Sequence, residues 1–504
     1  MSSAIPRDAT PHDDDSAALA ALGYESRFKR DMSLWANFSL GFTYLSPVVG
    51  VYALFAFSLA TGGPPMIWSF LVAGIGQLLV ALVFGEIVSQ YPVSGGLYPW
   101  ARRLWGRRWA WMSGWIYLVA LLVTIASVAY GAGPYAAALL GAEPTVDTTI
   151  GCALAILVLA TVINFAGTRT LARAAIIGFA AELVGALAVG GWLLLTERHH
   201  GLGALFDDFG AAGTGSYAAA FLAAGLIGVF QYYGFEACGD VAEEVRDPAR
   251  RIPRAMRMTI YVGGAAATFV ALALTLSVAD FGAVVSGRDA DPVTTSLTAA
   301  FGPGGTKVVL GIVLISFVSC AMSLQAAASR LLYAYARDDM IAGSGALRRL
   351  SPTRHVPPYA LLVTAVVPAL VALGSKLSED ALTKIISFAS LGIYMGFQMV
   401  VLAALRARTR GWRPAGPFTL GRWGLPVNVL ALAYGVSAMV NMAWPRTPEG
   451  PWYDDWIVVL SGLVVVALGA VYMTLTRHHH RGDAPAGDAV PATAAAEPRP
   501  QTAH

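Results

Sequence analysis

Twelve separate apolar runs, most near the ~20 residues that a helix needs to cross a hydrocarbon core, constrain this sequence more than any other feature. They lie at about 34–60, 66–90, 112–139, 149–166, 173–196, 216–240, 256–279, 306–336, 357–375, 381–405, 424–444 and 455–476. Lipid offers the backbone no hydrogen-bond partners, so such runs predict helices that satisfy themselves. The expected fold is all-α and integral to the membrane, with twelve transmembrane helices. Only 13% of residues are charged, against about 25% in soluble domains. That leaves no room for a disordered chain or a large soluble domain. The expected organisation is a cytoplasmic N-terminal segment at 1–33, a twelve-helix membrane domain at 34–476, and a disordered cytoplasmic tail at 477–504.

The loops orient the spans. With the N-terminus inside, 28 of the 34 basic residues fall on the cytoplasmic side, as the positive-inside rule requires. A span missed mid-chain would invert the alternation from that point. Both termini are therefore expected in the cytoplasm, with the chain in the cell (inner or plasma) membrane. Trp68, Trp105, Trp109, Trp111, Trp444, Trp452 and Trp456 sit at span ends, where interfacial tryptophans anchor.

Two spans carry Gly/Pro interruptions at mid-depth. The first reads Ser46-Pro47-Val48-Val49-Gly50 and the sixth Tyr233-Gly234-Phe235-Glu236. They open two successive sets of five spans, about 34–196 and 216–405, with 424–476 holding two extra helices. An odd repeat length turns the second set over, giving a 5+5 inverted repeat. Paired interruptions in the two halves point to a substrate site in secondary transporters. Either one alone reads equally as a kink or a packing face. A broken helix frees N–H groups that suit a carboxylate and carbonyls that suit an ammonium. Both together match an amino acid or related zwitterion.

The residues around these breaks resemble the amino acid–polyamine–organocation permeases over roughly 30–475. The resemblance rests on Gly234-Phe235-Glu236-Ala237, then Glu243-Glu244-Val245-Arg246-Asp247-Pro248 and Arg251-Ile252-Pro253. Ser329-Arg330 with Ala336-Arg337-Asp338, and Glu86 with Tyr91-Pro92 and Ser94-Gly95-Gly96-Leu97-Tyr98, add two further pieces. Gly62-Gly63-Pro64 with Trp68 resembles the branch of GABA and choline permeases. The resemblance implies a leucine-transporter-type fold. It implies substrate contacts around Ser46, Pro47, Val48, Val49 and Gly50, although the family's small-residue break is replaced here by Ser-Pro-Val-Val-Gly. In span six it implies contacts at Phe230, Tyr233, Gly234, Phe235 and Glu236. Phe230 stands where relatives carry an aromatic gate, or else is a packing aromatic. Glu236 can touch substrate or tie the break together. Trp115, Phe388 and Tyr394 are further candidate pocket liners.

Ionisable groups inside a span are functional candidates. Glu182 lies nine residues beyond Arg173, hence ~14 Å along a helix, close to mid-membrane. By position it falls where some proton-coupled relatives have a lysine. It is read as a proton carrier or cation partner, or as a structural glutamate bonded to span one or eight. Ser316, Ser319 and Ser323 on span eight could hold sodium, or simply pack helices. Glu243, Glu244, Arg246 and Arg330 form a candidate inner gating network, with Asp240, Arg250 and Arg251 nearby. A solvated loop face is the plain alternative.

The expected function is a secondary active permease importing an amino acid or related amine by alternating access, with a proton favoured over sodium as the coupling ion. A sodium-coupled or exchange permease for choline- or polyamine-type cations is the alternative. A membrane-embedded enzyme or receptor is the different class. No H-E-x-x-H, nucleophile elbow or P-loop is present. No metal, cofactor or nucleic acid is expected as a partner, only a small solute, its coupling ion and lipid.

Overall fold

The computed structural model describes residues 11–143, 145–213, 215–377, 381–446 and 451–490, and residues 1–10 and 491–504 of the two terminal segments lie outside it. The regular structure among the described residues is helical, with a single isolated bridge between Met32 and Val245. Ten helical stretches are long and apolar enough to cross a membrane, and Tyr217–Gln231 and Pro358–Gly374 are shorter apolar helices.

In chain order, α1 is Pro11–Ala21, and α2 (Leu34–Leu45) and α3 (Pro47–Gly62) make one interrupted span. α4 (Trp68–Gln90), the short α5 (Leu97–Leu104), α6 (Arg107–Gly131) and α7 (Gly133–Leu140) follow, then α8 (Val146–Phe165) and α9 (Thr168–Thr196). The second interrupted stretch is α10 (Tyr217–Ala224), α11 (Leu226–Gln231) and α12 (Ala237–Asp240). α13 (Pro248–Met258) runs through a π turn into α14 (Gly264–Ser277), and α15 is Phe281–Val285. α16 (Pro292–Arg337), α17 (Ser344–Leu347), α18 (Pro358–Gly374) and α19 (Ala381–Thr409) come next. α20 (Gly424–Ala443), α21 (Trp452–Asp455) and α22 (Ile457–Thr476) end the series.

α16 has 46 residues, which would be ~69 Å if straight, twice a membrane core. Gly302, at φ 63° before Pro303, bends it. The part beyond the bend matches the span expected at 306–336. Glycines set how closely the helices meet. Tyr434 of α20 fills the place where a Gly76 side chain would go, Gln398 does the same at Gly435, and Ser319 packs onto Gly178.

Three expectations change. The tail is not free of structure up to residue 490. Arg102 donates to the carbonyls of Ala484 (2.7 Å) and Pro485 (3.3 Å), and Arg103 pairs with Asp488. Trp111 is not interfacial but buried, donating to the Met340 carbonyl at 2.8 Å and stacked on Trp115. Trp115 in turn bonds the Val465 carbonyl and faces α22 rather than the breaks.

One buried ion pair locks α4 to α19. Glu86 accepts from Arg408 and from the Leu420 amide at 2.6 Å, and Arg408 also reaches Asn428 of α20. Removing one partner of such a pair costs about 3–5 kcal/mol. Glu86→Ala should therefore lower the thermal midpoint of the detergent-solubilised protein by several degrees. An unchanged midpoint would show that this pair does not hold the helices together.

Candidate functional site

Ser46 breaks the first span. Its φ of 41° and ψ of 95° lie outside the helical region, an uncommon conformation for a residue with a side chain. Pro47 at the first position of α3 needs no amide partner, which suits the restart. The restarted half-helix exposes the amides of Val48 and Val49. Ser46 Oγ accepts from Val49 N at 3.1 Å. Glu182 of α9 accepts both Ser46 Oγ–H at 2.5 Å and Val48 N–H at 3.2 Å through one oxygen. Its other oxygen is buried without a partner among the described residues. The position expected for a substrate carboxylate is thus held by a carboxylate of the protein.

The carbonyls freed on the other side of the break are also covered. The Gln231 side-chain amide donates to the Leu45 and Ser46 carbonyls at 3.1 and 3.2 Å. Cys320 of α16 donates to the Tyr44 carbonyl at 3.2 Å. Gly50 leaves the space that Gln231 occupies. Sequence reading missed Gln231. Its signal was an amide three residues before a Gly in an apolar span, which has little reason to be there unless backbone groups need it.

Gly234 sets the second break at φ +117°, a conformation that favours glycine. A Cβ there would lie 2.7 Å from the Leu45 amide nitrogen, so the two breaks touch. Glu236 accepts from Gly234 N at 2.8 Å and from Tyr117 Oη at 3.0 Å, which gives it the tying role. Tyr117 reaches Asp240 as well at 3.4 Å, and Tyr394 donates to the Val229 carbonyl at 3.1 Å. Phe230 meets Tyr233 edge to face at 5.4 Å, and Tyr233 meets Tyr44 at 6.3 Å. This aromatic set is buried around the junction. Phe235 packs away from it, against Phe84 and Phe397.

The span-eight serines do not converge as one set. Ser323 shares a 2.8 Å hydrogen bond with Thr43 of α2, Ser319 packs on Gly178, and Ser316 bonds back to Ile312 of its own helix. Of the further pocket candidates, Tyr394 reaches span six, while Phe388 is half-buried on α19.

Below the breaks lies a floor of ion pairs. Arg330 grips Glu244 at 2.7 and 3.2 Å, with Thr168 of α9 on the same carboxylate. Arg337 pairs with Glu243 at 2.7 Å, and Ser94 and Glu243 bond reciprocally through side chain and amide. The arginines that pair with the two glutamates come from α16, and Arg246 is not one of them. Arg246 Nε holds the Arg30 carbonyl at 2.9 Å instead and ties down the N-terminal segment. Asp338, not singled out as a gate residue from the sequence, collects Tyr24 (3.3 Å), Tyr98 (2.9 Å) and Arg102 (3.4 Å). Burial, and then the Asp338 charge, push the Tyr24 phenol well above its ordinary range, so it stays a donor.

Residues 32–470 match the model of the amino acid permease family. The chain belongs to that family, within the amino acid–polyamine–organocation superfamily. It is 26% identical to the amino-acid permease BAT1 of Arabidopsis thaliana, over 93% of this chain and 96% of that one. The rice homologue of BAT1 is 26% identical over 93% and 95% of the two chains. An uncharacterized amino-acid permease of Schizosaccharomyces pombe is 26% identical over 90% of this chain and 84% of its own length. The permease is a multi-pass membrane transporter rather than an enzyme.

The contact between the breaks gives a sharp test. Gly234→Ala should abolish transport and lower the yield of folded permease, because its Cβ meets backbone that cannot move aside. Gly191→Ala on α9 has open space within 4 Å and should leave both unchanged or slightly raise stability. Equal transport by the two variants would mean that close contact of the breaks is dispensable.

Proposed function

We propose that this permease imports an amino acid or related zwitterion by alternating access, with a proton as the coupling ion. In this reading twelve spans form a 5+5 inverted repeat with two further helices, in the cell membrane, with both termini in the cytoplasm. The carrying observation is the pair of stand-ins at the first break. The Gln231 amide lies on the freed carbonyls and the Glu182 carboxylate on the freed N–H groups. They occupy the positions that a substrate's ammonium and carboxylate would take, so substrate entry exchanges like for like. Phe230, Tyr233 and Gly234 border that place from span six, and Ser46, Val48 and Val49 from span one. The floor of Glu243, Glu244, Arg330 and Arg337 is the inner gate that opens as the solute leaves.

Proton coupling is supported by Glu182 itself. It is buried, has an oxygen with no partner among the described residues, and is attached directly to the break. Cys320 of α16, bonded to the Tyr44 carbonyl of the same break, lies near enough to feel the Glu182 charge. Sodium coupling has thinner support, since Ser316 and Ser323 already have protein partners. A carboxylate that leaves the half-helix is best released as the neutral acid, because a bare charge in this setting is costly.

The test is uptake of labelled amino acids into proteoliposomes. An acid-outside pH gradient should drive accumulation, and a sodium gradient at equal pH should not. Glu182→Gln should keep counter-exchange of substrate but lose the response to the pH gradient. Wild-type pH dependence in that variant would sink Glu182 as the proton carrier. Accumulation driven by sodium alone would overturn proton coupling.

A further inference from the structure

A cavity of about 1320 Å³ opens between the ends of α8 and α18, the loop joining α16 to α18, and the N-terminal segment. Arg27, Arg348, Arg349, Arg354 and His355 line it, and no carboxylate does so among the described residues. Arg27 is paired with Glu25. Arg348, Arg349 and Arg354 have no ion-pair partner among the described residues, and Arg354 is steadied by the Phe165 carbonyl at 3.0 Å. Three unneutralised guanidinium groups around one basin favour an anion with several oxygens, and phosphate matches their planar donor geometry.

The walls say where that phosphate is carried. Phe165 of α8 and Tyr359 of α18 both line the basin. Val158 and Val162 stand seven and three residues before Phe165, on the same face of α8, and both are exposed. Leu362 and Val366 stand three and seven residues after Tyr359, on its face of α18, and both are exposed too. α8 and α18 pack against each other, so their apolar stripes run side by side and end at the arginines. Bilayer lipid lies along those stripes in any case, which brings a lipid head group to the arginines. A phosphate attached to acyl chains covers both parts.

We propose that this basin is a binding site for an anionic phospholipid, with its phosphate on Arg348, Arg349 and Arg354 and its acyl chains along the exposed stripes of α8 and α18. Arg27 and His355, joined by a 3.2 Å contact of the His355 ring with the Arg27 carbonyl, make the N-terminal segment part of the same site. A bound lipid therefore bridges that segment to the loop that follows the gate helix α16. The site lies on the arginine-rich face, where basic pockets between spans attract anionic head groups.

The experiment is lipid retention by the purified full chain, counted by native mass spectrometry after delipidation and re-addition of single lipids. The probes are dioleoyl phosphatidylglycerol, dioleoyl phosphatidylcholine and inorganic phosphate. The wild type should retain phosphatidylglycerol over phosphatidylcholine, and added salt should weaken retention. The triple variant R348Q/R349Q/R354Q should bind phosphatidylglycerol about tenfold more weakly or worse. R250Q/R254Q, which removes exposed arginines away from the basin, should match the wild type. Equal retention by the triple variant, or equal retention of phosphatidylcholine, overturns the proposal. Displacement of the lipid by millimolar inorganic phosphate makes this a free-phosphate site and also overturns the lipid assignment. Should the triple variant fail to fold, Arg349→Gln alone, with the salt series on the wild type, decides the same question.

Discussion

A helix interrupted inside a hydrocarbon layer must find new partners for every backbone group it frees, and this permease depends on how that demand is met. The span-one break receives an amide from Gln231 on its carbonyl side and a carboxylate from Glu182 on its amide side. The span-six break receives Glu236 on the Gly234 amide. Each break is sealed by a side chain that water would otherwise replace. Small residues make this possible. Gly50 admits Gln231, Gly178 lets α16 approach α9, and Gly234 lets the two breaks touch.

The floor beneath the breaks follows the same economy. Burying Arg330 and Glu244 gives up much hydration, and such pairs are weak sources of net stability. Their geometry is specific, however, and an alternative arrangement leaves a bare charge in the interior. Pairs of this kind separate two well-defined states instead of allowing a continuum. Met32 bonds the backbone of Glu244 and Arg246, and Tyr24 reaches Asp338, so the N-terminal segment reports on the same floor. The segment from 477 to 490 is attached beside it through Arg102 and Arg103. On the proposed cycle, opening this side must move both terminal segments with α5.

Apolar periodicity and length made the helices legible, including the interruptions at Ser46-Pro47 and at Gly234, because Pro and Gly act locally. That Glu182 stands near the middle of its helix was legible too, since rise per residue converts sequence distance into height. Its azimuth was not. Whether Glu182 faced the break, α16 or lipid depends on how α9 packs on α2, which no local pattern encodes. Arg330 was among the gate residues read from the sequence, but Arg246 was misplaced for a related reason. Arg246 is two residues from Glu244 in sequence, whereas Arg330 is its partner across a separation of 86. Nearness along the chain stood in for nearness in space. The tail was read as disordered from Ala, Pro and Gly content. Yet mostly backbone groups dock it on Arg102 and Arg103, and composition carries no record of that.

Glu182 also sets a condition on the substrate. The start of α3 presents two free amides, one taken by Ser46 Oγ and one by Glu182. Two ionised carboxylates cannot share that place, since like charges at contact distance in a dry setting repel strongly. On the proposed reading a substrate carboxylate enters only as Glu182 takes up a proton or swings away. Binding free energies are reciprocal, so substrate that favours the protonated acid must itself bind more tightly when the proton is present. Proton and solute then load together from the same side. The coupling needs no relay between distant sites, because a single half-helix end can satisfy only one anion at a time.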